Sequence, residues 1–247
     1  MEACARARVG LAQRSALGSK NPVGTSTLFK DLLPACVVTA ELSGEGDPGW
    51  LLDHEWQFLE RAAPQRINEF AAGRRCARQA AAQFGILDFP IGVHDDRRPQ
   101  WPQFLTGSIT HTDGFSAAAV GQRQRVRAIG IDVERLGRVS RDIWKYVFTL
   151  AEADWLERLP TAQQAKAATL IFSAKEAFYK CQYELTEQWL EFRDVVVEGV
   201  DGNLDAGSFA VRPVVRVKLF ERGNGLTTGR YAITDELVLT AIAIVIR

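Results

Sequence analysis

The 247-residue chain has little sulfur or imidazole to organise it. Its four cysteines, Cys4, Cys36, Cys76 and Cys181, stand far apart and form no CxxC pair, which excludes a disulfide framework and a zinc ribbon. Three scattered histidines, His54, His94 and His111, leave a His/Cys metal cage without ligands. Net charge is also missing: 30 Lys and Arg balance 30 Asp and Glu. No bulk field of one sign therefore draws the protein to nucleic acid or to a membrane surface. The longest late apolar run, residues 241–246, falls far short of the roughly 18 residues a membrane helix needs. No short-period repeat or low-complexity tract is present. The expectation is a soluble, cytoplasmic protein in a reducing compartment. Residues 1–30 hold five basic residues and one acid but no apolar signal core, and are read as an unassigned, ragged N-terminal segment.

What is present is ordinary globular material, 47% hydrophobic and 24% charged, in a length that suits one large domain or two modest lobes. Strand-like runs are expected at 36–42, 104–109, 115–120, 126–133, 195–200, 211–220 and 237–246. The polar loop 121–125 is read as joining two of them into a hairpin. Helical spacing covers 51–84, divided at Pro64 and stopped by Gly85, and then 141–159 and 162–182. Strands, helices, strands, helices and strands without regular βαβ alternation predict an α+β fold. Similar content in the two halves predicts two pseudo-symmetric lobes, each a small antiparallel sheet packed with helices: 31–125, and 126–247 carrying the chemistry.

Two patterns resemble known sites and fail on chemistry. Gly44-Glu45-Gly46-Asp47-Pro48-Gly49 matches GxGxxG between a strand and a helix, but Glu45 and Asp47 would repel a pyrophosphate. Ser108 near His111 lacks the GxSxG elbow of a hydrolase.

The segment Ile129-Gly130-Ile131-Asp132-Val133-Glu134 carries more. In a strand, Asp132 and Glu134 share one face. Such a pair is either solvated or it holds a hard divalent cation such as magnesium, which keeps water and phosphate oxygens as its other ligands. In Phe172-Ser173-Ala174-Lys175-Glu176-Ala177-Phe178-Tyr179-Lys180, a turn of about 100° per residue puts Leu170, Ala174, Ala177, Phe178 and Cys181 on one apolar stripe. Glu176 and Lys180 lie on a flank outside it. They are a surface ion pair, or else a third carboxylate for the metal with Lys175 or Lys180 facing a phosphate. Arg74, Arg75 and Arg78 on the second helix, and Arg97 and Arg98 before Pro99, add guanidinium groups suited to phosphate.

Taken in order, Gly73-Arg74-Arg75-Cys76-Ala77-Arg78, Arg98-Pro99-Gln100-Trp101-Pro102, Ser108-Ile109-Thr110-His111-Thr112, Gly130-Ile131-Asp132-Val133-Glu134 and the segment 172–180 resemble the 4′-phosphopantetheinyl transferases. The likeness is to the single-chain, two-lobed branch that serves siderophore, peptide and polyketide synthetases and, in some members, fatty acid synthesis. Two lobes in one chain favour a monomer, and the resemblance implies an enzyme that binds coenzyme A between them. It would transfer 4′-phosphopantetheine to a serine of an apo acyl or peptidyl carrier protein, releasing adenosine 3′,5′-bisphosphate. It implies Asp132, Glu134 and Glu176 as ligands of Mg2+, Glu176 as base, and Lys180 and Lys175 at the pyrophosphate. Arg74, Arg75, Arg98, Thr110 and His111 would meet the adenylate end. Arg138, Arg141, Trp144 and Phe148 are the expected docking surface for the acidic carrier. Two departures stand out: Phe172 where many relatives have Trp, and Arg97 where a glycine often precedes the basic residue. Other readings of the same residues are a magnesium-dependent nucleotide hydrolase and a non-catalytic carrier-binding relative.

Overall fold

A computed structural model describes residues 28–200, 203–218 and 226–246. The ragged segment expected over 1–30 lies outside the described residues as far as residue 27, but over 28–30 the chain instead packs into the fold, with Phe29 fully buried. The turns expected at 201–203 and 223–225 lie wholly or partly outside the described residues. In chain order the strands are β1 (Val37–Ser43), β2 (Gly92–Val93), β3 (Pro99–Gln100), β4 (Leu105–Thr112), β5 (Phe115–Gln122), β6 (Val126–Arg135), β7 (Val195–Glu198), β8 (Ala206–Pro213), β9 (Thr227–Ile233) and β10 (Leu237–Val245). The helices are α1 (Asp53–Trp56), α2 (Pro64–Ala82), α3 (Trp144–Val147), α4 (Leu150–Arg158) and α5 (Thr161–Thr186). Among the described residues no helix is long and apolar enough to cross a membrane.

Two antiparallel sheets result, one ordered β1-β5-β4 and one ordered β6-β10-β9-β8-β7, with β2 and β3 as a separate small pair. The same path is drawn twice. Strand β1, helix α2 and the hairpin β4–β5 are matched by strand β6, helix α5 and the hairpin β9–β10, and each time the last strand inserts beside the first.

Side-chain alternation gives each sheet two apolar faces. On β5, Ala118 and Val120 pack toward α2 with Cys76, Ala77 and Ala80. Ala117 and Ala119 turn the other way, into a core that also takes Ile129, Ile131 and Val133 of β6 and Leu237, Leu239 and Ala241 of β10. This core belongs to both halves. Phe29 and Leu32 close it, held because the Glu41 carboxylate accepts the backbone N–H of Phe29 at 2.8 Å and of Leu28 at 3.2 Å. The remaining face of the second sheet is covered by α5, whose Leu170, Ala174 and Phe178 meet Ala128, Val238 and Ile242.

Gly130 sets how closely α5 approaches. A Cβ there would stand 1.9 Å from the carbonyl oxygen of Ala177, so only glycine lets the helix backbone lie on β6. Gly46, in the GxGxxG pattern, has a comparable packing reason: a Cβ would meet the Asn68 carbonyl oxygen of α2 at 2.0 Å.

The structure differs from expectation in several places. Strands β5 and β6 form no hairpin, because both edges of β5 are taken by β1 and β4 while β6 pairs with β10. The helix expected over 141–159 is interrupted between α3 and α4, where Thr149 opens a new capping box with Glu152. Of the helix expected before Pro64, only the turn α1 forms. The strand expected at 211–220 instead starts earlier and ends at Pro213, which has no N–H for a ladder. Strand β9, interrupted by Gly229 and bearing Thr and Arg, carried no strand signal.

Gly130→Ala should destabilise the protein by about 2 kcal/mol or more, since α5 must lift off β6 to admit the methyl group. Urea denaturation checks this as a drop in midpoint at unchanged slope.

Candidate functional site

A cleft of about 560 Å3 opens between the halves. Helix α2 supplies Arg66, Glu69, Phe70, Gly73 and Arg74 to its wall, and α5 supplies Glu176, Tyr179, Lys180, Tyr183 and Glu184. Both sets follow the three- and four-residue spacing of one helix face. Arg98 and Trp101 come from the small β2–β3 hairpin and its exit, and Ser108, Ile109 and His111 from β4.

The floor is a seam between β4 and β6. Among the described residues no backbone ladder joins these strands. Side chains take its place: Ser108 Oγ accepts the N–H of Ile131 at 3.1 Å, and Thr110 Oγ1 accepts the N–H of Val133 at 3.2 Å. Ser108 is thereby buried and committed to the seam. Lys180 reaches down from α5 and donates to the Ile131 carbonyl at 3.1 Å and to Asp132 Oδ1 at 2.7 Å. Thr110 donates to that same Asp132 oxygen at 3.3 Å, and Ser173 donates to Asp132 Oδ2 at 2.8 Å.

Burial and neighbouring carboxylates set the electrostatics, with Lys180 and Arg138 opposing them. Burial and then the Asp132 carboxylate push Glu134 up to about 7, against the pull of Arg138 and Lys180. Burial also raises Glu176, with Lys180 opposing and Asp132 adding to the shift. Burial works against the Lys180 ammonium, but Asp132 and Glu176 outweigh it and hold the group above its ordinary value. Among the described residues no three His, Cys, Asp or Glu side chains stand together as a ready-made metal cluster. The donor chemistry nonetheless fits a hard divalent cation: Asp132, Glu134 and Glu176 offer oxygen only, and their mutual repulsion is what such an ion would relieve.

The basic wall is strongly constrained. Arg74 is buried, stacks over Phe70, and donates to the carbonyls of Ile91 at 2.7 Å and Gly92 at 3.2 Å. Burial lowers it to about 10. Arg66 Nη1 lies 2.8 Å from His111 Nε2. A guanidinium can only donate, so this imidazole nitrogen accepts and the proton sits on Nδ1. Burial holds His111 below its ordinary value, with Glu69 opposing. Arg98 is gripped by Asp96 at 2.8 Å and by Glu187 of the other half at 2.9 Å.

The family model described as the 4'-phosphopantetheinyl transferase N-terminal domain matches residues 54–121, and that of the 4'-phosphopantetheinyl transferase superfamily matches residues 128–230. The chain is 34% identical over 222 residues to 4'-phosphopantetheinyl transferase Npt of Nocardia iowensis, covering 87% of this chain and 99% of that protein. The chain belongs to the 4′-phosphopantetheinyl transferase superfamily. It is 35% identical over 226 residues to 4'-phosphopantetheinyl transferase PptT of Mycobacterium tuberculosis, covering 88% of this chain and 98% of that one. To Enterobactin synthase component D of Escherichia coli it is 37% identical over 55% of this chain and 63% of that protein. As a 4′-phosphopantetheinyl transferase it is an enzyme that moves phosphopantetheine to carrier proteins, on an α+β fold.

Within this transferase, the cleft brings together Arg74, Arg98, His111, Glu176 and Lys180 of the expected site residues. Asp132 joins them through Lys180, and Glu134 sits two residues along the same strand face. Lys175 does not reach the cleft. One position before Glu176 is about 100° around the helix, and there its ammonium is buried against Glu152 at 2.7 Å and the carbonyls of Val147 and Phe192, both at 2.9 Å. Arg75 is likewise turned away, stacked over Trp50 at 3.9 Å. Thr110 is buried in the seam at the floor, where its hydroxyl is engaged by the Val133 N–H and by Asp132. Of the expected docking residues, Trp144 and Phe148 pack edge to face in the core, leaving Arg138 and Arg141 exposed. Arg66, Glu69, Trp101, Tyr179 and Tyr183 line the cleft without being among the expected site residues, although the helical spacing from Arg74 and Lys180 points to most of them.

Lys175→Met should cost about 3–5 kcal/mol by stranding buried Glu152, and coenzyme A affinity of the folded protein should not change. Denaturant titration and calorimetric binding check the two halves of that statement. Arg97 occupies the left-handed region at φ 71°. Arg97→Gly should therefore stabilise the transferase by about 0.5–1 kcal/mol, read from the same denaturation curves.

Proposed function

We propose that this transferase binds coenzyme A in the cleft between lobes 31–125 and 126–247, and moves its 4′-phosphopantetheine to a serine of an apo acyl or peptidyl carrier protein. The observation that carries the reading is the convergence of two helix faces on one cleft: basic residues from α2, Glu176 and Lys180 from α5, and Asp132 bonded to Lys180 at the floor. Arg74, Arg98 and His111 would engage the adenylate end and its 3′-phosphate. Lys180, already charged and fixed, would face the pyrophosphate. Glu176 would take the proton of the carrier serine as its oxygen attacks the phosphorus that bears the pantetheine arm, and adenosine 3′,5′-bisphosphate would leave. Asp132, Glu134 and Glu176 would hold Mg2+, which when bound neutralises diphosphate charge and aligns the reacting groups. The rest of catalysis is placement and charge.

Exposed Arg138, Arg141 and Lys145, beside exposed Tyr146 and Leu150, form a basic and apolar rim suited to an acidic carrier. Enterobactin synthase component D, by its name, serves a siderophore synthase; a peptidyl carrier of that kind and a fatty-acid acyl carrier are the substrates to compare. Both helix faces come from one chain, which suits a monomer.

Incubation with coenzyme A, Mg2+ and an apo carrier should add one phosphopantetheine to the carrier by mass spectrometry, and chelation with EDTA should stop the gain. Asp132→Asn should lower kcat/KM about 100-fold or more. An unchanged mass across acyl and peptidyl carriers, or phosphate release from nucleotides alone, would overturn the reading.

A further inference from the structure

Asp132 is held by more than its ion pair. Thr240 on β10 is the direct cross-strand partner of Asp132 on β6, so the two side chains leave the sheet on the same face, under α5. Ser173 of α5 stands between them. Its hydroxyl lies 2.8 Å from Asp132 Oδ2 and 2.8 Å from Thr240 Oγ1, and Thr240 Oγ1 also donates to the Ser173 carbonyl at 2.9 Å. Ser173 and Thr240 are fully buried, and the buried Asp132 carboxylate lies beside them.

Proton counting orders the chain. A hydroxyl has one proton to give. A carboxylate is the strongest acceptor in reach, so Ser173 gives its proton to Asp132. Thr240 then gives its own proton to Ser173, shared between the carbonyl and the hydroxyl oxygen. The sequence Thr240, Ser173, Asp132 is a one-way relay of donors ending on Oδ2. The other carboxylate oxygen, Oδ1, takes Lys180 and Thr110 at the cleft floor.

The geometry points to Ser173 as a positioning residue, with Thr240 as its support. By engaging Oδ2 from behind, Ser173 fixes the rotation of the Asp132 carboxylate and so presents Oδ1 toward Lys180 and the cleft. This inference rests on the reading of Asp132 as a ligand of the divalent cation. It assigns a role to two buried hydroxyls that touch neither coenzyme nor carrier. A side chain that orients a metal-binding group typically contributes 10–100-fold in metal affinity.

The test measures Mn2+ binding by electron paramagnetic resonance on the full chain, without coenzyme or carrier. Ser173→Ala should weaken Mn2+ binding 10–100-fold. Thr240→Val, which keeps the shape and removes the hydroxyl, should weaken it in the same direction by less, and Thr240→Ser should restore it. In the transfer assay, the deficit of Ser173→Ala should shrink as Mg2+ is raised, with KM for coenzyme A changed little. Wild-type affinity in both Ser173→Ala and Thr240→Val would overturn the inference while the metal reading stands. If Ser173→Ala fails to fold, equal affinities in Thr240→Val and Thr240→Ser would do so alone. A wild-type protein that binds no Mn2+ would overturn the metal reading and this inference with it.

Discussion

The fold turns on a sheet edge that has to be satisfied without a strand. The outer edge of β6 presents the N–H groups of Ile131 and Val133 and the carbonyl of Ile131 toward the other half of the molecule. Burying them unpaired would cost about 1–3 kcal/mol each. Ser108 and Thr110 take the two N–H groups and Lys180 takes the carbonyl. A continuous ladder would have fused the sheets and closed the gap above them. Side-chain bonds, with the shared core beneath, hold the halves together and leave room over the seam. They also put Asp132 where residues of β4 and α5 both reach it.

Much of this is legible in the chain. Alternation along Ile129 to Glu134 places the carboxylates on one face, and the apolar stripe through Ala174, Phe178 and Cys181 places Glu176 and Lys180 off the core. Both follow from periodicity alone. The failures come where one residue of offset matters. Lys175 and Glu176 are neighbours in sequence, yet a rotation of about 100° sends one to a buried ion pair with Glu152 and the other to the cleft. Nothing local announces Glu152 as the partner, since it lies on a different helix and serves as the far end of a capping box. Trp144 and Phe148 are apolar residues beside Arg138 and Arg141 in sequence, which suits a docking rim, but pairing with each other in the core takes them off the surface. Strand β9 was missed because its inclusion depends on pairing with β8 and β10 more than on its own residues.

The repeated path of the two halves shapes the cleft between them. Each lays one long helix across its own sheet, and the helix faces that look away from their cores meet over the seam. One face carries guanidinium groups and the other carries Glu176 and Lys180. The two walls of the cleft thus come from similar scaffolds carrying different residues at equivalent helical spacing.

The bonds across the seam have a spectroscopic consequence. The amides of Ile131 and Val133 lie inside a buried core yet are bonded to hydroxyl side chains, not to a neighbouring strand. Their exchange with deuterium reports the parting of the two halves, while amides on the β10 side of the same strand report global unfolding. Comparing the two sets in one nuclear magnetic resonance experiment separates cleft breathing from loss of fold, with no label or reporter added to the protein.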